Sequence, residues 1–177
     1  MSVIVWLLDP AHSEITFKVK HLMIATVTGR FKSFYVRVET QTEDFNTASL
    51  ISFSANTDTL DTNNEQRDNH LKSADFFDIK NYRELAFFAN KYESMQEEAK
   101  VFGDLTIKDT TRPVLLKILF GGVAIDSYGQ TKAGFTIETS ISRKDYGLTW
   151  NSLTEAGGVI VGDEIKIYGD IQLVKQV

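Results

Sequence analysis

Apolar and polar residues alternate with a period of two along most of this chain. From Ser13 to His21, Ile15, Phe17, Val19 and His21 alternate with Glu14, Thr16, Lys18 and Lys20. That is the pattern of a strand with one face on a core and the other in water. After a crossing at Leu22 to Thr26, the sheet pattern restarts at Val27 to Phe31. The same period returns in Phe34, Val36 and Val38, in Ile51, Phe53 and Ala55, in Leu85, Phe87 and Ala89, and in Val101, Gly103, Leu105 and Ile107. It continues in Val114, Leu116, Ile118 and Phe120, then in Ala133, Phe135, Ile137, Thr139 and Ile141, and through a last strand from Val159 to Leu173. Val3 to Asp9 is different. Ile4, Trp6 and Leu8 fall on one side and Val3, Val5 and Leu7 on the other, so both faces are expected to be covered. Such a strand is either an edge shielded by a second subunit or a strand paired within its own chain.

These segments predict about eight or nine antiparallel strands with short connections, because no crossover helix separates most of them. A sandwich and a closed barrel both satisfy the pattern, and a barrel of about eight strands has room for one small ligand.

The pattern stops between Asp61 and Tyr82. This stretch is polar and dense in charge, and its local signals are helical: Asn63 is placed to cap a short helix with Gln66 three residues on, and Ser73 offers a second cap before Ala74 to Phe77. In a helix Arg67, His70 and Leu71 share a face and Asp68 points elsewhere. Phe76 and Phe77 require burial. The segment reads either as a loop plugging the end of a barrel or as the mouth of a cavity, with Arg67 and His70 available to a polar group.

The 177 residues suffice for one domain with a sizeable core, and residues 1–177 are read as one. Twelve phenylalanines, mostly on inward phases, serve a filled core or an elongated apolar cavity equally well. With a formal charge of -5 spread along the chain, nucleic acid is not an expected partner. The absence of cysteine excludes disulfides, thiolate metal sites and cysteine nucleophiles. Val3 to Leu8 is too short for a signal peptide or a membrane span, which points to a cytoplasmic protein without stable membrane insertion. No phosphate-cradling glycine loop is present, Gly157-Gly158 reads as a turn, and no cofactor is expected. His21 falls on the inward phase, and His12 and His70 show no metal-ligand spacing with it, so a hydrogen-bonded core histidine is expected rather than a metal site. Acids and bases such as His12, His21, His70, Asp68 and Asp104 occur without a nucleophile motif, which argues against an enzyme.

Longer stretches carry a resemblance. Asp9 to Leu22 (DPAHSEITFKVKHL) and Gly29-Arg30-Phe31 are followed by Asp61 to Asn64 (DTNN) and Arg67 to Asp78 (RDNHLKSADFFD). Gly103 to Ile107 (GDLTI), Ala133-Gly134-Phe135 and Arg143 to Leu148 (RKDYGL) complete an ordered set spanning nearly the whole chain. The set resembles the YceI-like family of polyisoprenoid-binding proteins, in its leaderless members. Arg83 stands where the family usually has proline, Asp109 where glycine is common, and Ser142 where asparagine is common. The resemblance implies an all-β, lipocalin-like antiparallel barrel, often dimeric, with a long hydrophobic channel for an amphiphilic isoprenoid chain, polyprenyl or quinone-like. On that expectation Phe17, Val19, Phe31, Phe53, Phe76, Phe77, Leu105, Phe135 and Ile137 line the channel. Arg67 and His70 meet the head group, with His21 as an inner hydrogen-bonding partner.

Overall fold

A run of strands, each apolar on one face, buries that face most completely by closing the sheet on itself, which also removes its edges. The computed structural model of the chain describes residues 2–151 and 161–177 and shows this solution. Twelve strands form one antiparallel sheet. They are β1 (Ile4–Leu8), β2 (Glu14–His21), β3 (Ala25–Phe31), β4 (Phe34–Thr40), β5 (Ala48–Asn56), β6 (Leu60–Asp61), β7 (Glu84–Ala89), β8 (Glu93–Met95), β9 (Glu98–Ile107), β10 (Thr110–Ile125), β11 (Thr131–Ser142) and β12 (Val161–Lys175). The Gly157-Gly158 turn and the start of the last strand at Val159 lie outside the described residues.

Eight strands close the barrel in the order β1, β4, β5, β7, β9, β10, β11, β12, with β12 returning to β1. The long strand β12 carries two partners on one edge. Its end pairs with β1 (Trp6 with Lys175, Leu8 with Leu173), and its first part pairs with β2 (Ile165 with Val19, Asp170 with Glu14). Beyond β2 come β3 and the two-residue β6. Strand β1 is therefore paired on both sides, to β12 and β4, and is not an edge. Nor are both of its faces fully covered: Trp6 is 0% exposed, whereas Val5 and Leu7 are half-buried. A barrel wall has one interior, so the second apolar face of β1 lies toward the outside.

The break in the pattern holds one helix, α1 (Glu65–Lys72), rather than two. Its cap is Asn64, not Asn63: the Asn64 side chain accepts from the Arg67 N–H at 2.9 Å, while Asn63 sits in the left-handed region at φ 64. Ser73 ends α1 instead of starting a second helix, its N–H and hydroxyl both donating to the His70 carbonyl.

The two ends of the barrel are filled differently. At the end reached by β1 and the close of β12, Trp6, Phe45, Tyr92, Phe120 and Phe135 form an aromatic floor. The Phe45 ring lies 4.8 Å from Trp6 and 4.9 Å from Phe135, spacings at which tilted and edge-on aromatic pairs attract. Phe45 reaches this place from a 3-10 turn (Phe45–Thr47) capped by Asp44, whose carboxylate accepts from the Asn46 N–H at 2.9 Å. The buried Trp6 Nε1 donates to Thr40 Oγ1 at 3.0 Å, so its one polar atom is satisfied. Outside the floor, Lys132 Nζ bridges Asp9 at 2.7 Å and Asp126 at 3.3 Å. Hydrogen bonding from Lys132 holds the Asp9 carboxyl below its usual range. Burial pushes the Tyr92 phenol up to about 12, with the Asp44 charge adding to the shift.

Candidate functional site: an apolar cavity with a cationic mouth

Above the floor the inward side chains do not meet. They enclose a cavity of about 580 Å³, within the range of pockets that hold small organic ligands. Its wall is built by period-two positions on neighbouring strands. Phe17 and Val19 come from β2, Phe31 from β3, Phe53 from β5, Leu105 from β9 and Ile137 from β11. Phe17 keeps its place because its cross-strand partner is Gly29. A Cβ on Gly29 would lie 2.3 Å from the Phe17 ring, so the aromatic ring occupies the space a side chain would need. Phe31 links the wall to the helical segment, 5.6 Å from Phe17 and edge-on to Phe77 at 5.9 Å.

Phe76 and Phe77 are buried and also line the cavity, so the two readings of the 61–82 segment are both met in part: it plugs one side of the barrel and frames a cavity. Among the expected lining residues Phe135 is the exception. It points inward, but at the level of the floor, where Phe45 and Phe120 lie over it. Period two assigns a residue to a face and not to a height in the barrel. Further wall residues not anticipated include Ile15, Val27, Leu116, Ile141, Ile165 and Ile167.

The charged residues of the cavity gather at the end away from the floor. Helix α1 turns Arg67, His70 and Leu71 to the cavity on one face. Asp68 lies on another face, where its carboxylate accepts from the Thr62 N–H at 2.8 Å and from the Thr62 hydroxyl. Arg67 donates from Nε to Thr62 Oγ1 at 2.7 Å and from Nη2 to the Thr62 carbonyl at 2.6 Å. The segment is thus fastened by hydrogen bonds among its own residues. Its main chain follows suit: Phe77 N–H donates to the Leu71 carbonyl, Ile79 N–H to Lys72 and Tyr82 N–H to Asp78. His70 Nε2 lies 2.9 Å from Asp75, and its ring meets Trp150 edge-on at 4.6 Å and Phe76 at 5.2 Å. His21 is not an interior partner. It ends β2 at the cavity rim and is exposed to solvent.

Arg143, in the 3-10 turn Arg143–Tyr146 after β11, was not singled out as a site residue and is the most deeply placed charge in the wall, 2% exposed. Its donors reach four main-chain carbonyls: Gly162 at 2.9 Å, Leu148 at 2.5 Å, Trp150 at 2.8 Å and Val161 at 3.2 Å. Burial lowers its pKa, opposed by the nearby Asp163 charge. The guanidinium thereby fixes residues 148–150 to the start of β12 at the rim. Its sequence signal was membership of the Arg143 to Leu148 stretch, not any spacing rule.

Acids stand behind the cations at this end, Asp75 beside His70 and Asp163 near Arg143. Arg67, His70 and Arg143 line the cavity, Lys20 and His21 sit at its rim, and no described lining residue is Asp or Glu, although the chain has 24 acids. Such a site suits a ligand with an apolar body and a head group that accepts hydrogen bonds or carries negative charge.

A YceI-like domain model matches residues 6–173. A UPF0312 protein of Staphylococcus aureus is 39% identical over 163 residues, covering 89% of this chain and 90% of its own. The crystal structure of the Campylobacter jejuni YceI protein superposes with a TM-score of 0.76 at 30% identity, covering 96% of this chain and 97% of that one. A domain from Saccharophagus degradans, described as polyisoprenoid binding, superposes at 0.70 with 12% identity, covering 97% and 98%.

Proposed function

This chain belongs to the YceI-like family, and on that premise we propose that it carries an amphiphilic isoprenoid lipid, of polyprenyl or isoprenoid-quinone type, with the tail in the cavity and the head group at the cationic mouth. The carrying observation is the segregation inside the barrel: an apolar space of about 580 Å³, with the aromatic floor toward one end of the barrel and the cations at the other. A core packed to ordinary density leaves no such space, which favours a ligand-binding interior over a filled one. The description of the Saccharophagus degradans domain as polyisoprenoid binding supports the choice of lipid.

Removing methylenes from water drives such binding, at about 0.8 kcal/mol each. A five-carbon isoprene unit contributes roughly 3 to 4 kcal/mol before the costs of association, so a few units give micromolar affinity. Chain length is then set by the distance from mouth to floor. Arg67 commits Nε and Nη2 to Thr62, which among the described residues leaves Nη1 for a phosphate or quinone oxygen, and His70 is held beside it by Asp75.

The test is native mass spectrometry of protein isolated from its own host, with organic extraction of whatever it holds, repeated on Ile137→Trp. The expected result is a prenyl-type mass on the wild type and at least tenfold less on the variant, at unchanged or higher melting temperature because the larger ring fills empty space. Wild type that stays ligand-free when offered prenyl lipids overturns the proposal. So does an Ile137→Trp variant that loses about 1 to 3 kcal/mol of stability, the cost of overpacking a full core.

A further inference from the structure

The connection between β2 and β3 is built against the ordinary rules for a hairpin. It is closed by the Ile24 N–H donating to the His21 carbonyl at 3.1 Å, and both Leu22 and Met23 sit in the left-handed region, at φ 53 and φ 59. Asparagine and glycine occupy such positions without strain, and both are polar or small. Here the turn instead displays Leu22 at 38% exposure, Met23 at 60% and Ile24 at 83%. Three consecutive apolar residues are thus held in water at a strained corner, and such strain concentrates where a segment has work to do.

The tip is flanked by positive charge. Lys18 on β2 stands directly opposite Lys166 on β12, a like-charge pairing that weakens a sheet. Lys20 is on the same outer face and donates only to Thr26 Oγ1 at 3.3 Å among the described residues. None of the three forms an ion pair among those residues. Of the acids nearby, Glu164 accepts from the Ser140 hydroxyl at 2.8 Å, Asp163 accepts from the Ser142 hydroxyl and the Lys144 N–H, and Glu138, in the same outer groove as Lys18 and Lys166, stands directly opposite Lys117. Arg30, one strand further on, is matched by Asp61. In a protein of net charge -5 this lysine cluster is a local reversal of sign.

We infer that the β2–β3 tip docks on an anionic phospholipid surface, with Leu22, Met23 and Ile24 entering the headgroup region and Lys18, Lys20 and Lys166 meeting lipid phosphates. An apolar wedge ringed by lysines has the form of an interfacial anchor, in which burial of apolar groups and attraction to acidic lipids add. The tip follows His21 and Lys20, both on the cavity rim, so docking brings the mouth against the bilayer from which a prenyl lipid would come. The contact is peripheral: no helix among the described residues is long and apolar enough to cross a membrane. The value of the docking for lipid loading rests on the carrier reading, but the docking itself does not.

Sedimentation of the full chain with phosphatidylcholine vesicles, with and without phosphatidylglycerol, tests it directly. The expected result is binding to the phosphatidylglycerol vesicles that weakens with salt. Leu22→Asn/Met23→Gly/Ile24→Ser lowers it at least tenfold, and so does Lys18→Gln/Lys166→Gln. The first variant relieves the turn strain, so its melting temperature holds or rises and lost binding is not lost fold. Either no wild-type binding to anionic vesicles or equal binding by the tip variant overturns the proposal. Ile137→Trp separates the two readings, since it fills the cavity in place of lipid and leaves vesicle binding intact.

Discussion

The floor and the mouth of this barrel are built from the same alternation of inward and outward residues, yet one is full and the other hollow. At the floor, Phe45 descends from a turn outside the sheet and fills the space that Trp6, Phe120 and Phe135 leave. At the mouth, the element entering from outside the sheet is α1 with its aromatic pair, and it stands at the side of the space instead of occupying it. Whether a barrel holds a ligand is therefore decided less by its strands than by what its connections insert.

The largest effect that separates the ends is expected from Phe45→Ala. Removing this ring costs about 3 to 5 kcal/mol, measured by denaturant unfolding, and joins the floor to the cavity. If the floor is the length stop, the lipid extracted from the variant has a longer tail than that from wild type; an unchanged tail length places the stop elsewhere. Next in size is Arg143→Met at the mouth. It leaves four carbonyls to find new partners and costs about 2 to 3 kcal/mol, because buried carbonyls without donors are expensive. Lipid retention falls with it, whereas the floor, read by Trp6 fluorescence in a Trp150→Phe background, stays as it was.

The smallest effect is electrostatic. Tyr92 keeps its proton to about pH 12 in the folded chain, against 10.0 for an ordinary phenol. A folded-state pKa raised above the unfolded one gives stability that is fully present below pH 10.0 and lost as pH rises through about 12. Titration of tyrosinate absorbance should show one group ionising last, and that step should move toward 10.0 in Phe45→Ala as water reaches the ring. An unmoved step would mean that Phe45 does not keep the floor dry.

Much of this was legible in the chain. Phe17, Val19, Phe31, Phe53, Leu105 and Ile137 were assigned to the interior by period two, and the structure puts all of them on the cavity wall. Arg67, His70 and Leu71 share a face because three- and four-residue spacings do so in any helix. Phe135 was misplaced because height in a tilted barrel depends on register and closure, which no local window contains. Phe45 lies in a polar loop with no periodicity, so nothing nearby indicated that it would cross to the floor. Arg143 looked like one more charge at a strand end, and its partners at Val161 and Gly162 are far along the chain. The helix cap slipped from Asn63 to Asn64 because adjacent asparagines carry the same signal, and only backbone geometry chooses between them.

One consequence of the helical segment concerns time rather than shape. The strands of the barrel share their amide bonds with neighbours on both sides, so exposing one to deuterium requires unzipping the ladder around it. From Asn64 to Tyr82 the main-chain bonds described above close within the segment, and its ties to the rest of the chain run through side-chain packing, the Arg67 and Asp68 bonds to Thr62, the Lys72–Asp58 ion pair at 3.7 Å and the contact of Thr57 with Tyr82 and Arg83. That stretch is expected to open as its own unit, which hydrogen exchange would read as faster deuteration of its amides than of the barrel strands. The wall of the mouth thus keeps a faster clock than the barrel that carries it.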